Sequence, residues 1–490
     1  MATAGNSPLT QILPVGRKSD MRRIAATTLL ILTLSGCMAG AGYRRPLVEA
    51  PQSWRFGEKE AKAIIDIAWW RQFNDPVLNE LIGVALHENK DLKIAVARLD
   101  EFIGKYAVAR AALFPQVVAN AGPERERTTE LGQEALPAGT PNPFYQYQVS
   151  LSASWEIDLW GKLRYATEAA QAAILSTEEG RRSVILSLVT SVANSYVNLR
   201  DLDQQLDIAR RTAKIREESY HIFNVRFRAG YVSELELSQA KSDLEQVLAT
   251  IPPLEKSIAQ QENALCVLLG RNPGPVARGK AISDLGRPAI PAGLPSDLLS
   301  QRPDIRQAEQ NLISANAQIG LARAQYFPDI SLTGMFGWES TKLSSLFSGP
   351  ARTWSWAAPL TAPIFTGGAI AGQVKEAEAI QKETLLQYQQ TIQNAFRDVE
   401  DSLVDQHRTK DQLEALMRQL EALHTYARVA RLRYDNGYTS YIEVLDADRN
   451  LFNAELNYTQ TQGALFQSLI NLYKAMGGGW IAAAEELSKQ

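Results

Sequence analysis

Two very long stretches of this chain, Lys162 to Ala229 and Val374 to Asn436, contain no proline, and only the first contains a glycine, Gly180. As α-helices rising about 1.5 Å per residue, each is about 90–100 Å long, whereas the ordinary globular helix averages about 11–12 residues. Apolar residues recur at helical spacing: Ile392, Ala395, Phe396, Val399 and Leu403, then Leu413, Leu416, Leu420 and Leu423, with Gln, Asp, Arg and Lys opposite. The heptads are impure, as expected of helices that pack on two neighbours around a ring. Each run ends at a glycine turn, Arg228-Ala229-Gly230 or Asn436-Gly437, and a second helix is expected to return through Ser233–Leu269 or Ser440–Met476.

The long runs belong to a duplication. Arg226-Phe227-Arg228-Ala229-Gly230-Tyr231-Val232-Ser233 returns as Arg433-Tyr434-Asp435-Asn436-Gly437-Tyr438-Thr439-Ser440, and Leu269-Gly270 returns as Met476-Gly477 at the same offset. Phe114-Pro115 returns as Phe327-Pro328 at a slightly larger one, so the copies carry loops of different length. The period is far longer than the roughly 20–50 residues of a solenoid repeat; these are duplicated halves standing side by side. The proline-rich stretch between them, with Pro273, Pro275, Pro288, Pro291 and Pro295, is a connector. With Pro46–Asn74 and the tail after Gly477, it is expected to form a mixed girdle around the middle of the helices.

Each half also carries β signals. From Gln146 to Leu159, Tyr147, Val149, Leu151, Ala153, Trp155, Ile157 and Leu159 alternate with polar residues, a period of two. In the second half Ile330, Leu332, Phe336 and Trp338 alternate similarly, as do Trp354, Trp356, Ala358, Leu360, Ala362 and Ile364. A weaker strand runs from about Gln116 to Gly122, with Val117, Ala119 and Ala121 on its apolar side. One apolar and one polar face, over about ten residues, fit a tilted membrane strand with lipid outside and water inside. Beyond the N-terminal region no apolar stretch is long enough for a transmembrane helix, so a span must be a closed barrel. Four strands cannot close one, because open edges in lipid leave backbone groups unpaired; the barrel must be shared, with two copies giving eight strands and three giving twelve. The loop Pro123–Tyr145 and the shorter Ser340–Arg352 are expected to face outside.

The N-terminus reads as an export signal. Met21-Arg22-Arg23 is basic, Ile24–Leu34 is apolar, and Leu34-Ser35-Gly36-Cys37 ends in a cysteine. This ending resembles a bacterial lipoprotein box, with Cys37 as the lipidated first residue; Met38 after it, rather than Asp, resembles an outer-membrane address. With Cys37 acylated, Cys266 is the only other cysteine, so no disulfide framework is available, and burial as a small apolar residue is its expected role. The net charge of −3 gives no sign of a nucleic-acid partner.

Trp69-Trp70-Arg71-Gln72-Phe73-Asn74-Asp75-Pro76, Arg302-Pro303-Asp304-Ile305-Arg306, Tyr326-Phe327-Pro328, Ala362-Pro363-Ile364-Phe365-Thr366-Gly367-Gly368 and Gly477-Gly478-Gly479-Trp480 resemble the outer membrane factor family, the TolC-type exit ducts of tripartite efflux pumps, and within it the lipoprotein branch serving RND multidrug pumps. The resemblance spans about Tyr43 to Trp480. It implies an α+β fold: four strands per chain, twelve in a homotrimer, continued by a twelve-helix periplasmic tunnel with a small mixed equatorial domain. It also implies an outer-membrane location, a periplasmic adaptor, an inner-membrane RND-type pump, and passage of drugs or other small molecules with no catalysis and no cofactor. The expected segments are 1–36, signal and upstream residues; 37–75, lipidated N-terminus and equatorial segment; 76–270, first repeat with hairpin 115–159; 271–300, connector; 301–476, second repeat with hairpin 329–366; and 477–490, tail.

The resemblance further implies site residues. The turns, with Arg228, Gly230, Val232 and Ser233 in the first copy and Gly437, Thr439 and Ser440 in the second, are the expected adaptor-docking tips. Ile442, Glu443 and Asp446 match residues that narrow the bore, and three-fold symmetry turns each into a ring. A carboxylate ring in a narrow constriction attracts cations and raises its own pKa. Tyr434 and Glu236 match tip contacts expected to hydrogen-bond across the two halves and keep the coils closed. An arginine found at the position of Thr439 in some members is missing here.

An enzyme or metal protein would need a different inventory. None of His87, His221, His407 and His424 makes a His-Glu-x-x-His spacing, and neither a phosphate loop nor a nucleophile elbow occurs. Glu234 and Glu236 lie at a helix start, where carboxylates favourably meet the helix dipole. Type I protein secretion or metal-ion efflux would keep the fold and change the cargo; the lipoprotein box and triple-glycine tail favour small molecules, and six methionines form no cluster.

Overall fold

The structure, a computed structural model, describes residues 40, 42–56, 68–129, 139, 141–288, 295–477 and 480–489. The signal segment, Cys37, part of the connector and Gly478-Gly479 lie outside them. The chain divides into two compact units: Met1–Arg45, Gly104–Ala172 and Leu312–Glu383 form the first, and Pro46–Ile103, Ala173–Asn311 and Thr384–Gln490 the second.

The first unit is organised by an antiparallel sheet of β1 (Gln116–Glu126), β2 (Phe144–Glu156), β3 (Asp329–Ser340) and β4 (Arg352–Ala357), in that order, with the two-residue β5 (Leu360–Thr361) on β3. The two hairpins are therefore neighbours, joined by the β2–β3 ladder. The register aligns the apolar side chains seen in the sequence: Ala119 opposes Leu151, Leu151 opposes Phe336, and Phe336 opposes Trp354. Since side chains alternate with period two, these rows share one face, and it is bare: Leu151 is 55% exposed, Trp354 67% and Trp356 71%. The opposite face carries Asn120, Ser150, Ser152, Thr353 and Ser355.

Two strand boundaries differ from expectation. β1 continues to Glu126, pairing Pro123 with Tyr147 and Glu124 with Gln146, so the first loop is shorter than Pro123–Tyr145. The period-two pattern fades there because the residues turn polar, yet the backbone ladder persists. Conversely, the fourth segment breaks between β4 and β5 at Pro359, which has no N–H to donate, although its carbonyl still accepts from Ser331 N at 3.1 Å. After Pro363, Ile364 and Phe365 stand 94% and 89% exposed.

In the second unit, α1 (Pro76–Glu88) begins under an N-cap by Asp75, whose Oδ1 accepts from Val77 N at 2.9 Å; Pro76 fits the first turn because its missing N–H has no intrahelical partner there. Helix α2 is Lys90–Ala111 and α3 is Lys162–Arg228, each with residues in both units. The expected single return through Ser233–Leu269 is two helices, α4 (Glu234–Leu248) and α5 (Ile251–Leu268). Pro252 and Pro253 lack N–H donors and are tolerated only in a first turn, so a new helix starts with them. The second copy has no such prolines. After α6 (Pro303–Ala324) and the second long helix α7 (Ala369–Asp435), α8 runs unbroken from Tyr441 to Ala475, followed by α9 (Ile481–Lys489).

One core gathers the three segments outside the repeats. Trp69, Trp70 and Phe73 pack with Val276, Ile282 and Leu285 of the connector and Trp480, Ile481 and Ala484 of the tail. Trp69 stacks on Tyr473 of α8 at 5.1 Å and meets Trp480 edge-on at 6.0 Å, arrangements that suit the aromatic quadrupole. Cys266 is buried in the same core. Asp75 accepts from Tyr196 Oη at 2.6 Å and Lys280 N at 3.0 Å, tying α3 and the connector to the start of α1. The buried Arg302 of the Arg-Pro-Asp motif donates to Asp304 at 2.6 Å, to Asp398 at 3.3 Å and to the Ala475 carbonyl at 3.0 Å, joining α6 to α7 and α8.

Candidate functional site

The matched turns have the same geometry in both copies. Gly230 and Gly437 adopt φ of 78° and 75°. Tyr231 N bonds the Arg226 carbonyl and Tyr438 N the Arg433 carbonyl, each at 2.9 Å, which is the six-to-one bond of a Schellman helix end. A Cβ at either glycine would meet nothing within 4 Å. The glycines are thus required for their left-handed backbone and not for close packing.

The following helices start differently. Ser233 and Glu236 form a complete capping box: Ser233 N donates to Glu236 Oε2 at 2.8 Å, and Glu236 N donates to Ser233 Oγ at 3.3 Å. The second copy has the same serine-to-glutamate spacing but not the same box. Glu443 instead reaches back to Arg433 Nη1 at 2.8 Å and accepts a short hydrogen bond from the Thr439 hydroxyl. The cation facing Glu443 is thus Arg433 at the end of α7, while Thr439 contributes a hydroxyl hydrogen bond.

Ile442 and Asp446 lie one helical turn apart on α8. Ile442 is 59% exposed; Asp446 is exposed and accepts from Tyr426 Oη and Asn450 Nδ2, both at 3.1 Å. Partial desolvation and the Asp446 carboxylate push the Tyr426 phenol above its ordinary pKa. Tyr434 is partly buried against Phe223 and Tyr441, with ring centroids 6.3 and 5.3 Å away. Burial raises its phenol, Arg226 counteracts that through charge and a hydrogen bond, and Glu236 adds to it through charge alone. Glu236 therefore acts on Tyr434 through charge, while its hydrogen bonds are those of its own turn with Ser233. Arg228, Gly230, Ser233, Gly437 and Ser440 are exposed, and Val232 and Thr439 are half-buried. Tyr231 and Tyr438 project beyond them at 83% and 77% exposure.

Sequence reasoning missed a buried charge cluster just behind the turns. Arg216 of α3 pairs with Asp243 of α4 and with Asp448 of α8 at 3.3 Å, and Arg449 of α8 reaches Asp243 at 3.2 Å. Arg216 and Asp243 are 4% and 2% exposed. Burial pushes the Asp448 carboxyl up, opposed by Arg216 and Arg431. Only the tertiary packing brings these residues together; a charge on a helix in an impure heptad reads as solvated. Nearer the middle of α3, Asp201 is buried opposite Gly463 of α8. Gln205 donates to its Oδ2 at 3.0 Å, Oδ1 has no partner, and burial pushes the carboxyl up to about 6.

Among the described residues no group of three or more His, Cys, Asp or Glu could hold a metal, and no helix is long and apolar enough to cross a membrane. A family model described as outer membrane efflux protein matches residues 81–271 and 294–478, one match per repeat. The probable efflux pump outer membrane protein TtgC of Pseudomonas putida is 35% identical over 465 residues, covering 93% of this chain and 96% of the relative. The probable outer membrane lipoprotein SilC of Salmonella typhimurium is 35% identical over 467 residues, covering 94% and 99%. Among solved structures, the CmeC outer membrane channel of Campylobacter jejuni superposes with a TM-score of 0.87 at 26% identity, covering 92% of this chain and 98% of that one. The open-state MtrE channel of Neisseria gonorrhoeae gives 0.82 at 32% identity, covering 91% and 99%.

Proposed function

This chain belongs to the outer membrane efflux protein family, and from that membership we propose that three copies close a twelve-stranded barrel that passes small organic molecules out of the cell. The protein is an outer-membrane channel of an efflux pump and not an enzyme. The observation that carries the trimer is the sheet itself. β1 and β4 each pair on one side only among the described residues, and one face of the sheet exposes Leu151 of β2, Phe336 of β3 and Trp354 and Trp356 of β4. Edges of this kind in lipid need partners, and three four-stranded sheets leave an open bore where two leave a plugged one. Relatives named for antibiotic, toluene and solvent efflux support an organic cargo.

The turns then form the periplasmic tip. Exposed Tyr231 and Tyr438 beside the glycines supply the amphipathic surface on which a periplasmic adaptor docks, linking the duct to an inner-membrane RND-type pump. Ile442 and Asp446 form stacked apolar and anionic rings at the constriction. Arg433, Thr439 and Glu443 fasten the start of α8 to the end of α7 at rest, and Tyr434 packs beneath them. Cys37 carries the lipid anchor. Light scattering of the detergent-extracted protein tests the assembly: a trimer mass is expected, and a monomer or dimer that still conducts ions in bilayers overturns it.

A further inference from the structure

The residue three positions after Cys37 is held in an unusual way. Tyr165 Oη accepts a hydrogen bond from Gly40 N and donates one to the Gly40 carbonyl, both at 2.9 Å. One side chain therefore reads both backbone groups of a single residue. Tyr165 is 4% exposed, and its ring lies flat on Gly320 of α6, where an added Cβ would come within 2.7 Å of three ring carbons. A Cβ on Gly40 would lie 2.9 Å from both Gly320 Cα and the tyrosine oxygen. The notch therefore admits glycine backbone only. Its floor is one turn into α3, which starts at Lys162 shortly after β2 ends at Glu156. Three residues of chain span at most about 10 Å, so Cys37 is confined to that distance from Gly40.

We propose that Tyr165 and Gly320 form a docking notch for the segment that follows the lipidated cysteine, recognising Gly40 by its backbone and setting where the acyl chains enter the membrane relative to the end of the sheet. The proposal rests on acylation of Cys37. Neither glycine is there for its dihedral angles, since neither has positive φ; both are there for closeness. Several acyl chains on one residue anchor it to the membrane but do not fix where along the wall they insert. A fixed tether keeps it beside the barrel wall and prevents the N-terminal segment from peeling away.

The test is trypsin cleavage after Arg44, an exposed arginine just beyond the notch, in the trimer extracted into mild detergent, where the protease reaches both sides of the membrane. Cleavage of wild type is expected to be slow. Tyr165→Phe removes both hydrogen bonds but keeps the ring on Gly320, and Gly40→Ala cannot enter the notch; each is expected to speed cleavage about tenfold, the effect of losing roughly one to two net hydrogen bonds. Resistance of the unheated trimer to SDS reports folding, and if Tyr165→Phe fails to assemble, Gly40→Ala decides alone. Wild-type cleavage rates in Gly40→Ala overturn the notch. Acyl labelling of wild type is read separately: its absence overturns the lipid reading, whereas the trypsin rates still decide whether Gly40 is held.

Discussion

Substitution at Gly437 separates turn chemistry from docking. The φ of 75° places this residue in the left-handed region, which costs an L-residue about 1–2 kcal/mol. Because a Cβ there would meet nothing within 4 Å, no steric cost adds to the backbone one. Gly437→Ala and Gly437→Leu are therefore expected to destabilise the chain equally, by about 1–2 kcal/mol, while Gly437→Asn costs less because asparagine tolerates this region. Only leucine adds bulk to the face beside Tyr438. The assay is drug susceptibility in a strain relying on this duct, normalised to trimer measured on unheated gels. The expected order of trimer yield is wild type, then Asn, then Ala and Leu together. The expected order of efflux per trimer is wild type, Asn and Ala together, then Leu, lower by at least an order of magnitude. Equal efflux per trimer for Ala and Leu would refute docking at this turn and leave the glycine with its backbone role. Loss of trimer in Leu but not in Ala would refute the open-space argument itself.

Cys37→Ser is expected to abolish acyl labelling while the protein remains in the outer membrane, because a closed barrel dominates a single acylation site; recovery as soluble periplasmic protein would contradict the barrel. Asp446→Ala and Ile442→Ala are each expected to raise single-channel conductance or open probability in planar bilayers, with the double variant higher still and cation preference reduced in Asp446→Ala; wild-type currents in both would remove these residues from the gate. Asp201 gives a pH dependence. Its folded carboxyl is raised from 3.8 to about 6, so between these values the folded state holds more protons, and stability falls as pH rises. Asp201→Asn is expected to flatten that decline and to stabilise the trimer above pH 6 by at most about 3 kcal/mol per chain, read as a higher temperature of dissociation on gels at pH 7.5 and no change at pH 4; equal gains at both pH values would show that charge is not the cause.

Much of this protein is written in local signals. The absence of proline from the two long runs and the spacing of Ile392, Val399 and Leu403 dictate helices, and alternation from Tyr147 to Trp155 dictates a strand, because both depend on residues close in the chain. Gly230 and Gly437 announce their turns for the same reason. The exceptions also have local causes, though weaker ones: Pro252 and Pro253 split the returning helix, and Pro359 interrupts the last strand. In contrast, β1 outlasts its own pattern at Glu124 because its partner strand continues, and a ladder depends on the neighbour.

The charge placements were decided by packing alone. Ser233-x-x-Glu236 and Ser440-x-x-Glu443 are equivalent as sequence, yet the first closes a capping box and the second does not. Thr439 takes one oxygen of Glu443 within the turn, and Arg433 takes the other where the end of α7 lies against the start of α8. Arg216, Asp243, Asp448 and Arg449 come from three helices and from both repeats, and their separation along the chain hides a cluster that exists only where those helices meet. Gly40 and Gly320 carry no signal of their own, since neither makes a turn; their meaning comes from the ring of Tyr165 between them. Periodicity specifies which face of an element is apolar. Which residue of another element stands opposite a given side chain depends on docking, and docking free energy is summed over the whole interface rather than encoded at any one position.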